Sequence, residues 1–210
     1  MIRTIIFLIL SGLIVSVGAS AAQAIPVPVY ELHIPLGAQL TNPNQLNSVL
    51  PSGTMINYVL SFGIDTVAEF DGLGLGFRFD SISAFKAGDV GAAEVSSRIF
   101  SILVHKRSKF GNTYLGPITT YGIYNSSVIN VRTDISNWIQ YKAGNTSSAS
   151  IGLETGWILN DVYLVGFEVG YQRLMLQSLV ANDGTHLGGT LDVGADFSGP
   201  YMKIMAGIHY

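Results

Sequence analysis

The chain has 210 residues, 11 Lys and Arg against 14 Asp and Glu for a formal net charge of -3, and no cysteine. The small charge and the lack of a dense basic cluster argue against nucleic acid as a partner, and the missing thiols exclude disulfide staples and thiol chemistry. Hydrophobic residues make up 48% of the chain, yet beyond the N-terminus no run is long enough for a membrane-crossing helix, so the apolar content is spread over short segments.

Taken in chain order, Arg3 precedes an apolar run from Ile5 to Val17, and small residues lead to Ala22, Gln23 and Ala24. This is the layout of a cleaved secretory signal peptide over 1–24, which would leave Ile25 at the head of the mature chain. Residues 25–53 are predicted as an N-terminal segment containing a possible first strand, 29–36, followed by a loop. Tyr30, Leu32, Ile34 and Leu36 would point outward there, although Pro26, Pro28 and Pro35 limit the strand because proline donates no ladder hydrogen bond. Residues 54–210 are predicted as the main body.

Alternation of period two dominates that body. Tyr58, Leu60, Phe62 and Ile64 oppose Asn57, Val59, Ser61, Gly63 and Asp65; Leu73, Leu75, Phe77 and Phe79 oppose Gly72, Gly74, Gly76, Arg78 and Asp80. Only a strand sends successive side chains to opposite faces, and Asp71 and Gly72 supply a turn between these two. Segments 95–105 and 114–124 carry apolar residues on both rows, so their faces stay unassigned. A strand is also predicted over 129–140. Ile151, Leu153, Thr155, Trp157 and Leu159 form one row of the next segment, Asn160 and Asp161 a tight turn, and Tyr163, Val165, Phe167, Val169 and Tyr171 the row after it. Leu191, Val193, Ala195 and Phe197 are read as outward, and Met202, Ile204, Ala206, Ile208 and Tyr210 close the chain as a last apolar row.

An apolar outer row set against a glycine-rich row bearing charges of both signs suits a transmembrane antiparallel up-and-down β-barrel with a polar lumen better than a soluble sandwich, whose outward face is polar. Outward aromatics, Tyr58, Phe79, Trp157, Tyr163, Tyr171, Phe197 and Tyr210, lie toward strand ends, where interfacial girdles sit. The count is eight to ten strands, leaning to ten. The alternate residues Met202, Ile204, Ala206, Ile208 and Tyr210 resemble the terminal signature of small bacterial outer-membrane β-barrels, with tyrosine where phenylalanine is usual. The resemblance implies an outer-membrane address, lipids and lipopolysaccharide as surroundings, and recognition of this strand by the barrel assembly machinery. No motif selects one family within the class.

The sharpest functional candidates are the charges expected in the lumen: Asp65, Arg78, Asp80, Arg132, Asp134, Glu154, Glu168, Asp192, Asp196 and Lys203. Asp65 is expected to pair with Arg78, Lys203 with Asp192 or Asp196, and Arg132 with Glu154 or Glu168. Buried charges are costly unless paired, and a few-stranded barrel is filled by its own side chains, which favours a structural network over a gated ion path. Gly72, Gly74 and Gly76 lie within a strand with no helix following, so they are not a phosphate loop; inward glycines make room for long side chains. The histidines are isolated in sequence, and no cofactor or metal is expected. His186 is the only one placed in a loop context worth testing for catalysis.

The leading expectation is a monomeric, non-catalytic barrel serving envelope structure or limited passage of small solutes or ions. A surface adhesin and, behind it, a lipid-modifying enzyme are the alternatives. Counting strands back from a periplasmic C-terminus puts the short turn at 160–161 outside and the long 178–188 connection in the periplasm, against the usual rule of short periplasmic turns.

Overall fold

The computed structural model describes residues 27–133, 137–190 and 192–210. The expected signal peptide at 1–24 and Asp134 lie outside the described residues.

The strands are β1 (Val29–Leu40), β2 (Tyr58–Phe70), β3 (Leu73–Ala87), β4 (Ala92–Lys106), β5 (Ser108–Phe110), β6 (Thr113–Arg132), β7 (Trp138–Leu159), β8 (Tyr163–Ala181), β9 (Ala195–Asp196) and β10 (Gly199–His209), with one short helix, α1 (Asn44–Val49). Eight of these strands form a ring in which each neighbour is antiparallel: β1 pairs β2, β3 follows, then β4, β6, β7, β8 and β10, and β10 returns to β1. The closing seam runs from Glu31 opposite His209 to Gln39 opposite Tyr201. Closure removes the sheet edge, which is the condition for a β-sheet to stand in hydrocarbon.

The ring takes the lower of the two strand counts because two expected strands dissolve. The segment 129–140 is the top of a hairpin: Ile129 pairs with Tyr141 and Asn130 with Gln140 across it. The alternation read in the sequence runs across both arms, so it does not reveal that they are two strands. In the other, only Ala195 and Asp196 are laddered, and Val193, Ala195 and Phe197 are buried instead of facing lipid. Removing that strand also resolves the loop inversion. The connections 71–72, 107–112 and 160–162 now share the end that holds Tyr210, and the longer 41–57 and 182–198 lie at the opposite end, the arrangement of periplasmic turns and external loops. Two of the short connections are tight turns with positive φ at two successive positions, Asp71 (47°) and Gly72 (75°), and Asn160 (53°) and Asp161 (56°), the twist that suits a hairpin.

The outer wall between the two ends is apolar and uncharged. Leu32, Ile34 and Leu36 on β1, Leu60, Phe62 and Ile64 on β2, Ile151 and Leu153 on β7, and Met202, Ile204 and Ile208 on β10 are all exposed. Exposed Tyr30, Trp157, Tyr163 and Tyr210 ring the periplasmic end, and Tyr58, Tyr121, Tyr124 and Tyr171 the other, so the belt is bounded by two aromatic girdles. A tilted strand needs about 9–11 residues to span a bilayer. With 20, 22 and 19 residues, β6, β7 and β8 therefore rise beyond the external girdle, and their outward residues Ser126, Lys142, Asn145, Ser147, Arg173 and Gln177 are polar and exposed. Ser178, a non-glycine residue at φ 52° opposite Gly144, shifts the alternation there, so Gln177 is outward while Leu179 is buried.

Candidate functional site: the filled lumen

The periplasmic half of the lumen is an ion network. Arg78 on β3 is 1% exposed and grips two carboxylates at once. Its Nε and Nη2 donate to Asp65 at 2.8 and 2.7 Å, and its Nη1 and Nη2 donate to Glu168 at 3.0 and 2.8 Å. Asp65 lies beside it on β2, whereas Glu168 reaches it across the barrel from β8. Tyr201 O–H adds a 2.6 Å bond to Glu168. Nearer the periplasm, Arg107 donates through Nε and Nη2 to Glu154 at 2.8 and 3.0 Å and through Nη1 to Glu31 at 2.6 Å and Glu69 at 3.4 Å, with its guanidinium 4.2 Å from the Tyr114 ring centre. Glu154 and Glu168 stand directly opposite each other on β7 and β8. Such a like-charge pair is destabilising by itself, and here each glutamate is held by a separate arginine fork.

Three histidines complete this layer. His33 Nε2 lies 3.1 Å from Glu31, His209 Nδ1 lies 3.0 Å from the other Glu31 oxygen, and His105 sits between Glu154 at 2.9 Å and Glu69 at 3.5 Å. Lys109 closes the mouth on Glu69 at 2.6 Å. Glu31, Glu69 and His105 bring three potential metal-ligand atoms together, and the positive charge at that point is already supplied by Arg107. The inward glycines are the counterpart of these bulky groups: a Cβ on Gly156 or Gly166 would meet the Tyr114 hydroxyl at 2.5 Å, and one on Gly152 would meet the Tyr201 hydroxyl at 2.6 Å.

Above the ions the lumen turns apolar. Hydroxyl pairs mark the change, Thr120 with Ser150 at 2.7 Å and Ser97 with Ser127 at 2.6 Å. Beyond them Ile82, Val95, Ile99, Ile129, Leu174 and Leu176 point inward from the wall onto Leu46 of α1, Leu50 and Phe197. Leu46 and Phe197 are 0% exposed. Asn47 pins α1 by a reciprocal pair, Nδ2 to the Ile56 carbonyl at 3.1 Å and Oδ1 from the Ile56 N–H at 2.9 Å. Gln39 Nε2 holds the strap through the Phe197 carbonyl at 2.6 Å. The apolar interior explains why 95–105 is apolar on both rows: Val95 and Ile99 are inward against the plug, Leu103 is inward in a separate small cluster with Val67 and Ile118, and Phe100 and Ile102 are outward.

Of the ten charges proposed from sequence, Asp65, Arg78, Asp80, Glu154, Glu168 and Lys203 are buried in the lumen. Their partners differ from expectation except for Asp65 with Arg78. Lys203 pairs with Asp80 at 3.0 Å, because Asp192 and Asp196 are on the exposed external strap, where Asp192 accepts from Ser178 and Asp196 from the Ser198 N–H. Arg132 is at the external rim over the Trp138 ring, 5.3 Å from its centre, far up β6 from the glutamates that Arg78 and Arg107 bind. Sequence reading missed Glu31, His33, Glu69, His105, Arg107, Tyr114, Tyr201 and His209. For Glu31 and His33 the signal was present, since both fall on the row opposite Leu32 and Ile34; Arg107 follows the end of its strand, where alternation has no reach. His186 Nδ1 lies 3.7 Å from Asp192, whose other oxygen takes the Ser178 hydroxyl at 3.0 Å. The carboxylate is thus in the middle, whereas a Ser-His-Asp relay needs the imidazole there.

This closed ring of lipid-facing strands with a filled lumen defines a small outer-membrane β-barrel. Comparison with solved structures finds the same fold. The attachment invasion locus protein Ail of Yersinia pestis superposes with a TM-score of 0.52 at 8% identity, covering 87% of this chain and 99% of that one. Neisserial surface protein A gives 0.45 at 12% identity over 86% of this chain and 95% of that one, and the outer membrane protease OmpT of Escherichia coli 0.45 at 12% over 91% and 99%. No protein-family model and no curated sequence matches the chain.

Proposed function

We propose that this chain is a sealed, non-catalytic outer-membrane barrel with an envelope-structural role, and that it passes neither ions nor small solutes. The observation that carries this reading is the filling of the lumen in two successive layers, the ion network below and the plug of Leu46, Leu50 and Phe197 above. A path would have to breach both, and the lower one is held by charge-assisted forks that are strong where water is excluded. Proteoliposomes carrying the barrel are expected to swell in small sugars no faster than protein-free vesicles; swelling at a porin-like rate would refute the proposal.

Surface recognition is the second reading, favoured by the polar-faced projection of β6, β7 and β8. The Ail protein, similar in fold, is by its name an attachment protein. Loops and strand extensions on a rigid barrel are where such a function would be carried.

A further inference from the structure

Between the pairs Tyr121–Ala149 and Val128–Lys142 the β6–β7 ladder is interrupted. Residues 122–127 still pair with β4 except Ile123, which is skipped at a register shift, and most of residues 143–148 pair with β8, but the two stretches do not pair with each other. Side chains bridge the gap: Asn125 Nδ2 donates to the Thr146 carbonyl at 3.2 Å, and Ser148 Oγ donates to Asn125 Oδ1 at 3.0 Å. Backbone groups outside a ladder cannot face hydrocarbon, and the parted seam begins at Tyr121 and Tyr124 of the external girdle, so it opens at the level of the outer-leaflet headgroups.

Three cations frame this seam. Arg98 is the register partner of Ser126 on one side, Lys142 stands at its upper end, and Arg173 is the partner of Ala149 at its lower end. Each is exposed, and each is the first charged residue met on the outward row of its strand above the apolar belt. None forms an ion pair among the described residues; Arg173 rests on the Met175 sulfur at 3.0 and 3.2 Å. The buried cations, by contrast, are all paired. Free cations spread along the seam, with Arg173 at its lower and Lys142 at its upper end, beside hydroxyl and amide groups, are complementary to an extended sugar headgroup that carries phosphates at more than one level.

We infer that the parted β6–β7 seam, with Arg98, Lys142 and Arg173, is a binding site for the phosphorylated headgroup of the outer-leaflet glycolipid, lipopolysaccharide. The test uses the purified full barrel in detergent, titrated with bisphosphorylated lipid A and, separately, with dephosphorylated lipid A, bound lipid being counted by native mass spectrometry. At about 1 kcal/mol per cation near a lipid surface, the variant Arg98→Gln/Lys142→Gln/Arg173→Gln is expected to lose affinity on the order of a hundredfold, and dephosphorylated lipid A should bind the wild type as weakly. The variant Lys86→Gln, which removes an exposed external cation on β3 away from the seam, is expected to bind as the wild type does. A triple variant that binds lipid A as tightly as the wild type, equal binding of both lipids, or an equal loss in the control variant would each overturn the inference. Because Arg98, Lys142, Arg173 and Lys86 are all exposed on the wall, retention of the heat-dependent gel shift reports that each variant is folded.

Discussion

Replacing Arg78 by methionine is expected to lower the stability of the barrel by about 3–5 kcal/mol, read from urea unfolding out of lipid vesicles. The guanidinium satisfies four carboxylate oxygens, two on Asp65 and two on Glu168. Removing it leaves two charges stranded in the lumen centre, and the cost comes from those stranded charges more than from the lost contacts. The combined variant Arg78→Met/Asp65→Asn/Glu168→Gln is accordingly expected to recover most of the loss. A cost of the single change below about 1 kcal/mol, the range of solvent-exposed pairs, would mean that water reaches this layer and that the network is not a seal.

The second large effect belongs to the upper layer and is local. Phe197→Ala removes a fully buried ring from the plug, a change that costs about 3–5 kcal/mol in a packed core. The strap around 195–197 is joined to the barrel by few ladder bonds and by Gln39, so the loss is expected to fall on the strap and α1 as a unit. Hydrogen exchange should accelerate at the amides of α1 and the strap while β1, β2 and β10 keep their protection. Unchanged exchange in α1 would show that the plug is not a cooperative element. If the whole barrel lost protection together, the two layers would not be independent.

The fold was legible in the sequence wherever one row faced lipid and the other faced charge or glycine. β2, β3, β8 and β10 all satisfy that condition, and the tight turns at Asp71 and Asn160 punctuate them. Legibility failed where the physical contrast between the faces vanished. In the external half the interior is as apolar as the lipid, so β4 reads as apolar on both rows, and the strap through Val193, Ala195 and Phe197 resembles a lipid-facing strand although it is buried inside. The upper ends of β6 and β7 carry one continuous period-two pattern in the sequence and read as one strand. The charge network was partly visible, because Asp65, Arg78, Glu154 and Glu168 sit on clean inward rows. Pairings across the barrel, such as Arg78 with Glu168 or Lys203 with Asp80, depend on ring size and stagger, which no local pattern encodes. Arg107 was hidden for a different reason: it leaves its strand and turns back into the lumen from a connection.

Closure of the lumen is tested by the single-channel conductance of the purified full barrel in a planar bilayer under an applied potential. A sealed lumen gives a flat baseline with no reproducible steps once insertion has been verified by the heat-dependent gel shift. Steady steps of uniform size from the wild-type barrel would contradict it.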